Sequence, residues 1–374
     1  MNCKRLSALL LFLLCYAHQA SAYYYRTCDG NKIEWADNNQ TLHVHEDIPQ
    51  NTSLGNALAS TVDIFNQNPS KFRLNLSWGD SSVGLENGQN EIWFSSNGKY
   101  LPENRTGVTL TKFKCTAFKS EILETDIMFK WNIDEVVWTY SDVRKAWDSY
   151  GGYGHPLRAT AMHELGHVGG LLHTNDTYSI MGDANRHANA NGNRARIYLG
   201  EDAAGGLVRL YGSASGDLQD VSVSHWHYVS GGPEPGEDYS EHARTLLYGS
   251  NGMRPDYKVV DQERHYYVNK GEEITVKFTY ENNGKDEQDV EVAYYLSGNS
   301  TITTGDLLLG TWKKTLGRNS VYTADRKLRI PAWIPSGDYF VGVIVDPNNK
   351  IHEMTGANNA TFIGIRVLPD NDQI

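Results

Sequence analysis

The stretch from His163 to His173 contains residue types that bind metal ions, at a spacing that lets them do so together. His163 and His167 are four residues apart, so on a helix they lie on one face and can bind the same ion. Gly170 lets the chain leave the helix through a positive-φ turn, which brings His173 back as a third nitrogen ligand. Three neutral imidazoles leave a fourth position for water, as in catalytic zinc sites.

Glu164 directly follows the first of these histidines and can reach a water on the metal without being a ligand itself. A carboxylate so placed acts as a general base, so the pattern predicts hydrolysis by a metal-activated water. The alternative is an ordinary helix whose histidines are core or surface residues. That alternative does not explain why a glycine and a third histidine fall where the metal geometry requires them.

This stretch resembles the zinc-binding helix of the metzincin metalloproteases, a family with a methionine turn shortly after the third histidine. Met181 lies eight residues after His173 and matches that turn. Leu199–Gly212 resembles the closing helix of matrixin-like members, and Asp183 stands where other members have a tyrosine. The resemblance implies an α+β catalytic domain with a mixed sheet, one catalytic Zn²⁺ and zinc endopeptidase activity. It also implies that Met181 forms an apolar floor below the metal.

Length and composition set the broad class of the protein. The 374 residues are enough for two domains, and the hydrophobic and charged fractions of 40% and 21% are those of a globular protein. The net charge of −11 argues against nucleic acid and anionic membrane surfaces as partners.

Residues 1–22 have the pattern of a secretory signal peptide. Lys4 and Arg5 precede an apolar run, Leu6–Cys15, that is too short to span a bilayer, and Ala20-Ser21-Ala22 is a cleavage site. We therefore expect a secreted protein, extracellular or periplasmic, without a transmembrane anchor.

Removal of this segment leaves two cysteines, Cys28 and Cys115, in an oxidising compartment, which predicts a disulfide between them. Two alternatives stay open at this point. Cys28 could instead bind the zinc as a thiolate, as propeptide cysteines do in some matrixins, or both thiols could be free.

The order of elements in residues 23–213 is that of a mixed α+β domain. Helical spacing predicts a helix over Leu54–Phe65 with Thr52 or Ser53 as its N-cap. Alternation predicts strands at Thr41–His45, Phe72–Leu76, Asn90–Phe94, Gly107–Phe118 and Glu121–Lys130. By the metzincin resemblance, Gly107–Phe118 is the edge strand beside the cleft, where an extended peptide substrate could pair with it. The alternative is an interior or blocked strand.

For the rest of the chain, the pattern predicts a connector over residues 214–255 and an all-β immunoglobulin-like sandwich over residues 256–374. Six short alternating strands support the sandwich, at Glu273–Tyr280, Asp289–Leu296, Asp306–Trp312, Tyr322–Ile330, Gly337–Val345 and Thr361–Val367. Ser336–Asp346, Ile351-His-Glu353 and Asn358-Asn359 resemble the cell-adhesion-related CARDB domain found in bacteria. The resemblance implies a spacer, or a module that binds a surface polymer.

Several alternatives remain open from the sequence. The protein could be an adhesin-like binder with a vestigial metal site, or a zinc hydrolase of a peptidoglycan amide bond. Calcium binding is possible, but no acidic spacing is diagnostic. Gly182–Asn193 is predicted as a loop, with His187 on the surface. A second metal site is a minor hypothesis for three further histidines, His225, His227 and His242.

Overall fold

The computed structural model describes residues 23–95, 100–102, 105–116, 120–131, 136–174, 178–182, 187–226, 228, 245–261 and 263–370. The predicted signal peptide, Asp183, His227 and His242 lie outside these residues. Among the helices of the described residues, none is long and apolar enough to cross a bilayer.

The described chain contains the helices α1, Ser53–Phe65, α2, Leu157–Val168, and α3, Gly200–Tyr211. The predicted first helix is confirmed, and Thr52 is its N-cap, because its hydroxyl accepts a hydrogen bond from the Gly55 N–H at 3.1 Å. Leu58, Val62 and Phe65 are buried at helical spacing and pack into the N-terminal core.

The strands of the N-terminal domain form one main sheet and several pairs of short strands, each two to four residues long. They are β1 Tyr24–Tyr25, β2 Thr27–Cys28, β3 Asn31–Lys32, β4 Asn39–His45, β5 Arg73–Asp80, β6 Glu91–Ser95, β7 Gly107–Cys115, β8 Ser120–Lys130, β9 Trp138–Thr139, β10 His155–Pro156, β11 Leu171–Leu172, β12 Ala188–Asn191 and β13 Arg194–Ile197. All five strands predicted for this domain are found, with shifted ends.

The main sheet has the order β5-β4-β6-β8-β7. Its first four strands are parallel, whereas β7 pairs antiparallel with β8 and lies at the edge. The prediction of an edge strand is confirmed for Gly107–Cys115. Helix α2 contacts both β7 and β8, so the histidine helix lies beside the edge of the sheet.

The second domain is a sandwich of two sheets, so the predicted all-β fold is confirmed. Its strands are β14 Val221–Ser224, β15 Leu246–Tyr248, β16 Tyr257–Val260, β17 Glu263–Val268, β18 Glu273–Asn282, β19 Gln288–Ser297, β20 Leu307–Leu316, β21 Ser320–Arg329, β22 Gly337–Val345 and β23 Ala360–Val367. One sheet contains β14, β15, β18 and β21, and the other has the order β16-β17-β23-β22-β19-β20. All six predicted strands are present. The predicted connector, 214–255, contributes β14 and β15 to the sandwich, because both pair with β18.

Two buried carboxyl groups lie where β14 begins. Asp220 accepts hydrogen bonds from the amides of Asn283 and Asn358, and Glu353 accepts one from the Val221 N–H at 2.8 Å. Burial is the main cause that raises the pKa of Asp220 to about 7 and the pKa of Glu353 to about 8. Folding therefore favours the protonated form of both groups.

We expect the contribution of these two carboxyls to folding stability to fall as the pH rises from about 4.5 to about 8. The pKa of each carboxyl is higher in the folded than in the unfolded chain, so its contribution is present at low pH and is lost as the pH rises through 7 to 8. Melting temperatures measured across this window test the expectation. Glu353→Gln should flatten the profile, and an unchanged slope in this variant would contradict the assignment.

Candidate metal centre

Helix α2 and the turn after it bring the three predicted ligands together. His163 Nε2 lies 3.1 Å from His167 Nε2 and 3.0 Å from His173 Nε2. Gly170 has a φ of +87°, so the chain turns as predicted and continues into β11, which pairs with β1. Two ligands about 2.05 Å from a tetrahedral zinc ion lie roughly 3.3 Å apart, close to the separations found here.

The backbone fixes the orientation of two of the imidazoles. His163 Nδ1 donates to the Ile180 carbonyl at 2.7 Å, and His167 Nδ1 donates to the Leu171 carbonyl at 2.8 Å. Since a carbonyl can only accept, each Nδ1 carries the hydrogen, and each Nε2 presents a lone pair. Two lone pairs that face each other at 3.1 Å repel unless a cation lies between them, so this donor set fits a divalent metal ion.

Burial also keeps these imidazoles neutral. Desolvation lowers the pKa of His163 to about 4, and it lowers the pKa of His167 well below its usual value. Both rings are therefore available as ligands at neutral pH. Three nitrogen ligands are typical of catalytic zinc.

Glu164 is buried beside the histidines and is held by the edge strand. Thr109 Oγ1 donates to Glu164 Oε2 at 2.6 Å. Burial is the main cause that raises the pKa of Glu164 to about 7, while the bond from Thr109 and the charge of Arg105 act in the opposite direction. A carboxyl group with a pKa near 7 can both accept and return a proton at neutral pH. Sequence reasoning missed Thr109, whose hydroxyl is ordinary for a β-strand.

The edge strand passes very close to α2 because Gly107 has no side chain. A Cβ at this position would lie 2.6 Å from Thr160 Cγ2 and 2.9 Å from Glu164 Oε1. Thr160 also contacts His155 Nε2 at 3.1 Å, and His155 Nδ1 contacts Asp148 at 2.8 Å. No sequence motif singles out these neighbours of the site.

Met181 lies below the histidine helix. It is fully buried, and a Cβ on Gly166 would lie 2.3 Å from its sulfur atom, so only a glycine fits there. The Thr174 N–H donates to the Met181 carbonyl at 3.0 Å, which closes the turn after His173. Ile180, the residue before Met181, supplies the carbonyl that orients His163. The segment that contains Met181 thus contacts the candidate site through the Ile180 carbonyl.

Cys28 and Cys115 form the predicted disulfide. The bond joins β2 to the last residue of β7, with the two Cα atoms 6.0 Å apart. Because both sulfur atoms are used in this bond, the alternatives of a thiolate on the zinc or two free thiols are wrong.

Among the described residues, none of the other histidines belongs to this group of three ligands. His43 and His45 lie on β4, and His45 pairs with Asp47 at 3.2 Å. His225 is buried, and its Nδ1 contacts the Thr361 hydroxyl at 2.7 Å. The prediction that His187 lies on the surface is wrong, because it is 1% exposed and contacts Glu281 at 2.7 Å.

The predicted loop at Gly182–Asn193 is also partly wrong, since Ala188–Asn191 forms β12. Among the described residues, the groups of three or more ligand side chains close enough for one metal ion are the three histidines and a set that includes the bonded Cys28 and Cys115.

The ligands open onto a cleft of about 460 Å³. One wall is the edge strand, with Gly107, Val108, Thr109 and Thr111. Two arginines also line the cleft, Arg26 from the N-terminal segment and Arg105 just before the edge strand. Other lining residues are Ile33, Pro102, Ile122, His155, Leu171 and Leu172.

Comparisons with known proteins concern the sandwich. No curated protein matches the chain in sequence. Local structural matches include the CARDB domain of a Pyrococcus furiosus protein in complex with di-metal ions, at 16% identity over 41% of this chain and 97% of that chain, with a TM-score of 0.25. A Pseudomonas fluorescens alkylpurine DNA glycosylase matches at 18% identity over 28% of each chain, with a TM-score of 0.20.

A Listeria innocua beta-glucosidase matches at 15% identity over 34% of this chain and 16% of that chain, with a TM-score of 0.20. Scores this low support no conclusion about function or binding. The informative match is to the CARDB family model, which covers residues 254–362 and none of the histidine domain. Residues 254–362 are therefore a CARDB domain, as the resemblance of Ser336–Asp346 and the motifs after it predicted.

Proposed function

We propose that the chain is a secreted zinc-dependent endopeptidase. The observation that carries the proposal is the group of three histidine Nε2 atoms beside the buried carboxylate of Glu164, on the wall of an open cleft. His163, His167 and His173 would hold Zn²⁺. When bound there, the ion supplies a Lewis acid that lowers the pKa of a water ligand and polarises the scissile carbonyl.

The protein's own residues handle the proton. Glu164 accepts it from the attacking water and returns it to the leaving amine, as its pKa of about 7 allows. Thr109 holds the Glu164 carboxylate in place through the 2.6 Å hydrogen bond. Met181 supports the helix from below and makes no contact with the substrate in this proposal.

The edge strand favours a polypeptide substrate over other amides. Among the described residues, β7 pairs with β8 only, so its outer N–H and C=O groups can bond to an added strand. An extended peptide offers matching groups at a regular spacing, whereas a single peptidoglycan cross-link offers few. The peptidoglycan amide bond is therefore the less favoured substrate.

The test is metal-dependent proteolysis by the mature chain. Wild-type protein should bind one equivalent of zinc, cleave casein, lose activity when a chelator removes the zinc, and regain it on zinc addition. His163→Ala should neither bind zinc tightly nor cleave. Full activity in the zinc-free protein would contradict the proposal.

We expect Thr109→Val to lower kcat about tenfold while leaving zinc affinity unchanged. The substitution removes a hydrogen bond to a charged group and little volume, and such bonds are worth about 1.5–3 kcal/mol. Thr41→Val, on β4 and outside the cleft, is the matched control. Kinetics on one peptide would separate the two variants, and equal rates would rule out a role for Thr109.

A second candidate is a surface or adhesin-like role, which the CARDB match favours. On this view the sandwich binds a surface polymer, and the histidine site is vestigial. If the full-length Glu164→Gln protein binds bacterial surface polymers as well as the wild type does, that result would support binding as a separate function. Catalysis by the wild type would exclude a vestigial site.

A further inference from the structure

The cleft carries a local charge opposite to that of the whole chain. The chain has a net charge of −11, yet the charged side chains that line the cleft, apart from Glu164, are Arg26 and Arg105. The cleft is also lined by four histidines, of which His163, His167 and His173 form the candidate metal centre. Besides the metal ion of the proposed function, a ligand in this cleft meets two guanidinium groups and one carboxyl group.

Arg26 is held in place by its neighbours in the fold. Tyr25 pairs with Leu171 across β1 and β11, the Arg26 carbonyl accepts a hydrogen bond from the Ile33 N–H at 3.0 Å, and Cys28 is bonded to Cys115. The backbone is thus tied on both sides of Arg26. Its guanidinium lies 5.6 Å from the ring centre of Phe113 on β7, and the side chain is exposed.

Arg105 lies at the opposite end of the same strand. It comes two residues before Gly107, whose Cα faces the Glu164 carboxylate, and its N–H donates to the Pro102 carbonyl at 3.0 Å. From Gly107 to Phe113 the strand rises about 3.3 Å per residue, roughly 20 Å in all. Glu164, held by Thr109, lies between the two arginines along this direction.

We propose that Arg26 and Arg105 select peptides that carry an aspartate or glutamate side chain on each side of the scissile bond. The inference rests on the proposed function and names its substrate class. An extended peptide paired with β7 would span both arginines, with its scissile bond near Glu164. Arginine binds carboxylates through its planar, fork-shaped set of donors. The net negative charge of the chain would repel such peptides elsewhere. The attraction that selects acidic peptides therefore comes from the two arginines.

The test uses matched peptides on the full mature chain. The set has Glu, Gln or Lys at one position on each side of the scissile bond, and both binding and cleavage are measured. Binding is measured by fluorescence anisotropy on the Glu164→Gln variant, which keeps both arginines. Each Glu→Gln change should weaken binding and lower kcat/KM about fivefold, as for a partly exposed ion pair.

Variants of the protein distinguish charge selection from a structural effect. Arg26→Glu should reverse the preference at one position, so that the Lys peptide is preferred there, and Arg26→Lys should retain the wild-type order. Arg329→Gln, at an exposed sandwich residue, is the control and should change nothing.

Two failures are distinguishable. If the wild type cleaves peptides but treats Glu, Gln and Lys alike, the inference is wrong and the proposed function stands. If no peptide is cleaved but acidic peptides still bind more tightly than their Gln counterparts, the proposed function fails and the selection of acidic peptides stands.

Discussion

Glu164→Gln is expected to lower peptide hydrolysis by about 10³-fold while the protein still binds one zinc ion. Glutamine has the shape of glutamate but cannot accept a proton from water. The Thr109 hydroxyl can still donate to the amide oxygen, so the packing beside the edge strand should persist. The loss should therefore appear in kcat and not in folding or in metal content.

Steady-state kinetics, together with metal analysis of the same sample, provide the measurement. Glu121→Gln, a substitution of a partly exposed glutamate on β8, serves as the matched control and should retain activity. If the Glu164→Gln protein hydrolyses peptides at the wild-type rate with zinc bound, Glu164 is not the general base.

Glu281→Ala is expected to destabilise the folded protein by about 3–5 kcal/mol, because it leaves buried polar partners without the carboxylate to which they bind. Glu281 lies on β18 of the sandwich and is completely buried. It accepts hydrogen bonds from the Tyr178 hydroxyl and from Ser222 Oγ at 2.9 Å, and it contacts His187 Nε2 at 2.7 Å. Burial alone would raise the pKa of Glu281, but His187 and these hydrogen bonds lower it below its usual value.

This cluster joins the CARDB domain to the histidine domain just before the methionine turn. Tyr178 is two residues before Ile180, whose carbonyl orients His163. Groups that orient a metal-binding histidine typically change metal affinity by tenfold or more when lost. We therefore expect Glu281→Ala also to weaken zinc binding about tenfold, although Glu281 lies in the other domain.

Denaturant unfolding and zinc titration would measure both effects. The control is Glu273→Ala on the same strand, because Glu273 is 43% exposed and forms a surface pair with Lys327 at 3.0 Å. Surface pairs of this kind contribute about 0–1 kcal/mol. Equal stability of the two variants would show that the buried cluster does not hold the domains together.

The sequence was sufficient for the features that depend on local spacing. One metal site forms almost regardless of its surroundings when two histidines lie four residues apart on a helix and a glycine turn brings in a third histidine. The six predicted sandwich strands were also found, because alternation of apolar residues follows directly from the two faces of a strand. The edge position of Gly107–Cys115 came from the metzincin resemblance and not from its residues.

Features that depend on contacts between distant segments were not predictable in this way. His187 has the polar neighbours of a surface loop in sequence, and only the packing of β18 against it makes it a buried partner of Glu281. No sequence motif marks Arg26 as a residue of the cleft either, because its position depends on the pairing of β1 with β11 and on the disulfide. Such contacts arise between residues more than 80 positions apart.

The most direct test of the central claim is mass spectrometry of a peptide library incubated with the zinc-loaded mature chain in ¹⁸O-labelled water. A zinc endopeptidase that uses a water activated beside Glu164 should generate internal fragments whose new carboxyl termini carry ¹⁸O. The same fragments should be absent with chelated wild type and with zinc-loaded Glu164→Gln. The account would be contradicted if the zinc-loaded wild type produced no labelled fragments, or if Glu164→Gln produced the same fragments as the wild type.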